Sequence, residues 1–170
     1  LEGETPLRGR RVVITAGPTR EPVDAVRVLS NRSSGRMGYA LARSAWRAGA
    51  DVVLISGPTM LEPPAGPRIR RIETAVEMEA AVREEIAEAD VLVMSAAIAD
   101  FRPAQAASGK IKKAAAPDSI PLEPAPDVLL ATREARPEGM IAVGFALETD
   151  DARRNARDKL STKGLDMIVL

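Results

Sequence analysis

The sequence predicts an α/β protein of Rossmann-like type, a doubly wound and mainly parallel sheet with helices on both faces. Three observations lead there. Strand-length apolar runs alternate with helix-length segments along the chain, the strand runs are near-continuously apolar as buried parallel strands are, and the chain opens on strand, long loop, helix.

The first strand is expected at 11–15 (RVVIT), followed by a loop punctuated by Gly, Pro and Ser and a helix at about 35–48. Strand 51–56, a Pro-rich loop, strand 68–72, helix 75–87 and strand 90–95 continue the alternation. After a basic loop come a short strand at 119–122, helix 127–135, strand 140–146, helix 151–163 and strand 166–170. The loop 104–126, rich in Ala, Pro and Lys, is the expected mobile segment. With 170 residues, 45% of them apolar, the chain is long enough to bury one sizeable core, so one domain is expected over 11–170. Residues 1–10 (LEGETPLRGR) are polar and start without Met, and read as a linker tail; the apolar ending DMIVL reads as a truncated C-terminus.

Lys plus Arg and Asp plus Glu both total 24, so no overall field draws the chain to nucleic acid or to an anionic membrane, and an anion site must be local. No apolar run approaches the roughly 20 residues that span a bilayer, and the start does not resemble a signal peptide, so a cytoplasmic protein is expected. The chain has no His and no Cys, which removes imidazole bases, thiol nucleophiles and most transition-metal sites. What remains is positioning, backbone amides, cationic and carboxylate side chains, and a hard cation such as Mg²⁺ brought by a nucleotide. That set suits phosphoryl or nucleotidyl transfer.

In an open parallel sheet, ligands bind beyond the carboxyl ends of the strands. After the first strand, Gly17, Pro18 and Thr19 begin a loop ending at Asn31 to Gly38, where small residues and a helix N-terminus can hold an anion; Ser33 or Ser34 serves equally as a plain N-cap. The Gly35/Gly38 spacing resembles a dinucleotide fingerprint, but the loop is too long for that tight turn. The second strand ends in Ser56-Gly57-Pro58, without the acidic residue an NAD site places there; NADP is less firmly excluded. In the run 95–101 small side chains let a planar base approach, and Asp100 offers a carboxylate to a ribose or metal; a tight turn with a solvated Asp fits equally.

The five lysines fall in two clusters, at 110, 112 and 113 and at 159 and 163, against nineteen arginines elsewhere. Lys159 and Lys163 stand four apart and share one helix face, where like charges repel unless an anion lies between them; the alternative is a helix C-terminus complemented by cations. The run around Lys110 is a phosphate clamp or a solvated charge run. Phe145, one of two phenylalanines, packs on a nucleobase or simply in the core.

The segments AGPTREPVDAVRVLSNRSSGRMG, SAAIADFRP, GKIKK, PAPDVL, VGFALET and DKLSTKGLDMIV occur in that order over nearly the whole of 11–170. Together they resemble the signatures of the phosphopantothenate cysteine ligase family, in bacteria usually the C-terminal half of a fusion with a flavin-dependent decarboxylase. The resemblance implies amide formation between 4′-phosphopantothenate and cysteine in coenzyme A biosynthesis, through an acyl cytidylate made from CTP. It implies Asn31 handling the acyl intermediate, Arg27 near the phosphopantothenate end and Lys110 as the direct catalytic lysine. For the nucleotide it implies Ala96, Ala97, Asp100, Lys110, Pro126, Asp127, Val128, Leu129, Phe145, Lys159 and Lys163. Asp127 has a second reading as a helix cap. Mg²⁺ would be held mainly by the nucleotide phosphates, with Asp100 as a further ligand, and FMN would belong only to the decarboxylase half. The segment 31–38 resembles the family's dimerisation motif, which implies a homodimer. Two other readings stand beside this one: an NADP-dependent Rossmann oxidoreductase, and a noncatalytic nucleotide-binding or dimerisation module.

Overall fold

The computed structural model describes residues 5–115, 117–147 and 150–170. The chain forms β1 (Arg11–Ala16), the short β2 (Arg20–Pro22) and β3 (Val28–Ser30), helix α1 (Arg36–Arg47), β4 (Asp51–Ser56) and β5 (Arg68–Arg71). Helix α2 (Ala75–Glu85), β6 (Val91–Met94), β7 (Phe101–Pro103), β8 (Leu122–Pro124), the one-turn helix α3 (Val128–Ala131), β9 (Ile141–Phe145), α4 (Ala152–Thr162) and β10 (Met167–Val169) follow. Six of these strands make one sheet in the order β10-β9-β6-β1-β4-β5, parallel throughout. The order reverses at β1, which pairs with β4 on one side and β6 on the other.

The apolar strand runs are explained by cover on both faces. Val12, Ile14 and Ala16 of β1 pack with Tyr39 and Ala42 of α1, whereas Val13 points to the opposite face with Met78, Ala81 and Val82 of α2 and Val128 and Leu129 of α3. Leu160 of α4 packs on that second face. The outer strand β5 (RIRR) presents arginines along the sheet edge, a charge pattern that discourages further strand pairing.

Carboxylates fix the entry end of the sheet. Asp90 accepts from the Arg11 backbone N–H at 2.8 Å, and Asp166 accepts from the Ala142 N–H at 2.8 Å, so an acid ahead of one strand holds the start of its neighbour. Glu85, 8% exposed, takes Arg11 and Arg68 at 3.0 and 2.6 Å. The Arg68 hydrogen bond is the main cause that holds its carboxyl below the usual range, against the opposing effect of burial. At the start of α2, Thr74 and Glu77 form a capping box, and the buried Glu21 of β2 accepts from the Ala75 N–H at 2.9 Å.

Local differences from the sequence expectation have local causes. The expected helix 127–135 is one turn of α-helix and a 3₁₀ turn (Arg133–Ala135): the Thr132 hydroxyl donates back to the Val128 carbonyl at 2.7 Å, and Arg136 precedes a proline, a position that disfavours helix. The expected strand 119–122 lies at Leu122–Pro124 and pairs antiparallel with β7. The first loop contains a two-stranded ribbon, β2 with β3, that hydrophobic patterning did not reveal. Residues 5–10 form a turn against α1, with the Leu7 N–H donating to the Ala48 carbonyl at 3.0 Å.

At the tip of the β2–β3 ribbon, the buried Asp24 accepts from the backbone N–H groups of Val26 and Arg27, both at 2.8 Å, from the Arg27 guanidinium, and from the Ile111 N–H at 3.1 Å. Arg27 donates in turn to the Ile111 carbonyl at 3.3 Å, and the Ala107 N–H to the Val23 carbonyl at 3.0 Å. The start of the basic loop is thereby docked on the ribbon. Burial raises the Asp24 pKa, but the N–H groups of Val26, Ile111 and Arg27 together with the guanidinium outweigh it, so the value falls from 3.8 to about 2.

A pKa depressed in the folded state adds stability above the unfolded value, and that stability disappears as pH falls through the folded value. Urea unfolding of the wild type and Asp24→Asn should therefore show a stability gap at pH 5 that narrows between about pH 3.8 and 2; a pH-independent gap would contradict the clasp. Gly38 is a second sensitive position, because an added Cβ would collide with Ala16 and lie 2.8 Å from Ser95 Oγ and the Thr15 carbonyl oxygen. Gly38→Ala should cost about 2 kcal/mol in chemical denaturation, since overpacking here meets strand backbone.

Candidate functional site

Beyond β1 and β6 the parallel pairing continues into the loops. The Ala97 N–H donates to the Gly17 carbonyl at 2.9 Å, the Thr19 N–H to the Ala97 carbonyl at 3.4 Å, and the Ala99 N–H to the buried Thr19 hydroxyl at 3.0 Å. Thr15 and Ser95 link the same strand ends, the Ala96 N–H reaching Thr15 Oγ1 at 3.1 Å and Ser95 Oγ the Thr15 carbonyl at 2.6 Å. These bonds hold the small residues Ala96 and Ala97 at the point where strand order reverses, the usual ligand position of an open α/β sheet. Asn31 is brought to the same place: its Nδ2 donates to the carbonyls of Ile98 at 2.9 Å and Ala97 at 3.4 Å.

Next to this junction lies a cleft of about 290 Å³. One wall carries Ala96 and Asp100, the floor Val128 and Leu129, and the far wall Phe145, Lys159 and Lys163, with Pro126 and Asp127 at the rim between them. Of the residues expected to bind a nucleotide, all but Ala97 and Lys110 line it. Ala97 instead turns its carbonyl to Asn31.

The cleft's cations are held in place. Lys163 Nζ lies 2.8 Å from Asp127 Oδ2, and Asp127 Oδ1 accepts from the Leu130 N–H at 3.1 Å, so Asp127 caps α3 and pairs with the lysine at once. Burial raises the Asp127 pKa, and the Lys163 hydrogen bond, the Leu130 N–H and the Lys159 charge more than reverse that, leaving the carboxyl below its usual range. Lys159 Nζ donates to the Phe145 carbonyl at 3.2 Å. Lys159 of α4 and Lys163, its C-cap, both line the cleft, as their four-residue spacing implied.

Other expected residues sit elsewhere. Arg27 and Lys113 line a separate hollow with Val23, Ile111 and Ile120, and Lys110 is exposed on the loop that Asp24 clasps. The two lysine clusters therefore do not share one cleft, because Ile111 is fixed to the ribbon tip. Asn31 lines a third hollow with Arg20, Ser33, Ser34 and Arg36 beside the start of α1. There Gly35, at φ +75°, is the N-cap and no side chain caps the helix, although Ser34 Oγ accepts from the Arg36 N–H at 3.5 Å.

The end of β4 leaves little scope for a dinucleotide ribose. Ser56 is buried with its hydroxyl 3.0 Å from the Tyr39 hydroxyl, and a Cβ on Gly57 would overlap the Pro18 carbonyl. Among the described residues no group of three or more acidic side chains could hold a metal by itself, and no helix is long and apolar enough to cross a membrane. Sequence reasoning missed Asp24 and Arg136. The spacing of Asp24 and Arg27 was a readable sign of a local turn; Arg136 gave none, because its partners Lys163 and Gly164 are remote in the chain.

Comparison with known proteins bears on this arrangement. The family model described as the DNA/pantothenate metabolism flavoprotein C-terminal domain matches residues 7–170. A cysteine/cysteine sulfinic acid decarboxylase from an unknown prokaryotic organism is 46% identical over 168 residues, covering 98% of this chain and 47% of that protein. The coenzyme A biosynthesis bifunctional protein CoaBC of Mycobacterium tuberculosis (strain ATCC 25618 / H37Rv) is 48% identical over 175 residues, covering 96% of this chain and 42% of that protein. The chain thus spans about half the length of the curated relatives it matches. The crystal structure of the C-terminal domain of a CoaBC protein aligns with a TM-score of 0.86 and 40% identity, covering 98% of this chain and 79% of that one. With a family model matched over nearly its whole length and a cleft where that fold binds ligands, the chain belongs to the DNA/pantothenate metabolism flavoprotein C-terminal domain family.

Proposed function

We propose that this chain is a CTP-dependent ligase domain that joins 4′-phosphopantothenate to cysteine in coenzyme A biosynthesis. The observation that carries the reading is the cleft in which Lys159 and Lys163 face small, base-sized walls at Ala96 and Pro126, beside the Asn31 carboxamide. The similarity to CoaBC proteins supports it.

In the first step a carboxylate oxygen of phosphopantothenate forms a bond to the α-phosphorus of CTP and the bond to pyrophosphate breaks. In the second, the cysteine amine forms the amide bond to the acyl carbon, and CMP leaves with the electron pair and the amine loses a proton. The reacting groups are anionic, so the site's work is charge neutralisation and alignment rather than acid–base chemistry. Lys159 and Lys163 receive the nucleotide phosphates, Phe145 and Pro126 flank the base, and Asn31 orients the acyl group. Asp100, a carboxylate lining the cleft, fits a Mg²⁺ held mainly by phosphate oxygens; bound there, the ion would offset charge on the triphosphate. Arg27 and Lys110 stand together outside the cleft at the ribbon tip, beside the exposed Val26 and Val28. In this reading the segment 31–38 meets the second copy of a homodimer, so that substrate lies near a subunit boundary. FMN belongs to a decarboxylase half.

The test is pyrophosphate release that requires CTP, Mg²⁺ and phosphopantothenate together, with the amide product appearing only on addition of cysteine. Failure to bind CTP, or a nicotinamide fluorescence shift on titration with NADPH, would remove the reading. Lys110→Gln should lower turnover about a hundredfold or more while leaving the thermal midpoint unchanged, as removal of one stabilising charge does; unaltered turnover would take Lys110 out of the reaction.

A further inference from the structure

The cleft lysines stand at the C-terminal end of α4, Lys159 in its last turn and Lys163 as its C-cap, where the free carbonyls of a helix concentrate negative charge. That end is unfavourable for a polyphosphate unless its carbonyls are satisfied. All four terminal carbonyls have donors. The Leu165 N–H bonds the Leu160 carbonyl at 2.9 Å and the Gly164 N–H bonds Ser161 at 3.3 Å, the paired closure made possible by Gly164 at φ +57°. The Thr162 and Lys163 carbonyls are taken by side chains from the segment that follows α3, and the Gly164 carbonyl just beyond them is taken as well. Arg133 donates to Thr162 at 3.2 Å, and Arg136 donates to Lys163 at 3.0 Å and to Gly164 at 2.7 Å.

Arg136 does more than cap. Its second terminal nitrogen donates to the Leu129 carbonyl at 2.5 Å, on the cleft floor, while its first holds the Lys163 backbone on the opposite wall. Its Nε is buried without a partner, so the guanidinium is fixed by those three carbonyls. One planar cation thus spans from floor to wall behind the ion pair of Lys163 and Asp127. We propose that Arg136 is a positioning residue for the nucleoside triphosphate: it sets the separation of Leu129 from the Lys163 backbone and offsets the carbonyl end of α4, so that Lys159 and Lys163 present net positive charge to the phosphates. The inference rests on the CTP reading given above.

The experiment measures steady-state pyrophosphate release and CTP affinity for the full chain and for Arg136→Met. The expected result is a KM for CTP raised about tenfold, with kcat at saturating CTP and the KM for cysteine changed less than threefold, because the group acts on ground state and transition state alike. Ile86→Val, in the core beneath α2, is the control: it should lower stability without moving the KM for CTP. A folded Arg136→Met with an unaltered KM for CTP overturns the inference. If that variant does not fold, Arg136→Lys carries the test, since one ammonium keeps the charge but cannot bridge all three carbonyls; a raised KM for CTP supports the inference and an unchanged one overturns it. Absence of CTP turnover in the unmodified chain overturns the functional reading itself, a result distinguishable from either outcome for Arg136.

Discussion

Parallel pairing between β1 and β6 that persists past the strand ends is the constraint from which the rest of the site follows. Strand order reverses at that seam, so the helices that follow the two strands leave on opposite faces and open a gap above it. A gap alone would be lined by mobile loops. Here Gly17, Thr19, Ala97 and Ala99 exchange hydrogen bonds across it, and Asn31 is drawn onto the same backbone by the carbonyls of Ala97 and Ile98. The loops of the proposed site are thereby given the rigidity of the sheet, which alignment of reacting groups would require.

The electrostatics follow from the lack of overall charge and of any histidine. With acidic and basic residues balanced at 24 each, positive potential has to be assembled locally. The structure does so by giving three of its cations a fixed partner. Asp127 orients Lys163, the Phe145 carbonyl orients Lys159, and Asp24 orients Arg27. A lysine paired with a half-exposed carboxylate retains a charge that an incoming phosphate can share, whereas a deeply buried pair would have to be broken first. Glu85 illustrates the contrasting use, a mostly buried acid at the far end of the sheet that joins arginines of two strands to α2.

How much was legible depended on the range of the interaction involved. Strand and helix succession was readable, since Val12 through Ala16 or Asp51 through Ser56 announce burial by their own composition. The cleft lining was readable through family motifs, which report side chains one after another along loops. The β2–β3 ribbon was not, because Val28 and Leu29 remain exposed and so leave no buried stripe to recognise. Helix α3 was overestimated because apolar spacing cannot register the competing hydrogen bond from Thr132 or the restriction imposed by Pro137.

The amino-acid sequence by itself determined the layered α/β architecture, the shared face of Lys159 and Lys163, and the exclusion of imidazole and thiol chemistry. These depend on periodicity and residue type, which neighbours along the chain suffice to define. Tertiary structure alone decided that Lys110 stands apart from the α4 lysines, that Asp127 meets Lys163, and that Arg136 joins the cleft's floor to its wall. Each of those rests on hydrogen bonds or ion pairs that reach between separate segments, and their existence depends on how loops pack over the sheet, a quantity that no local pattern encodes.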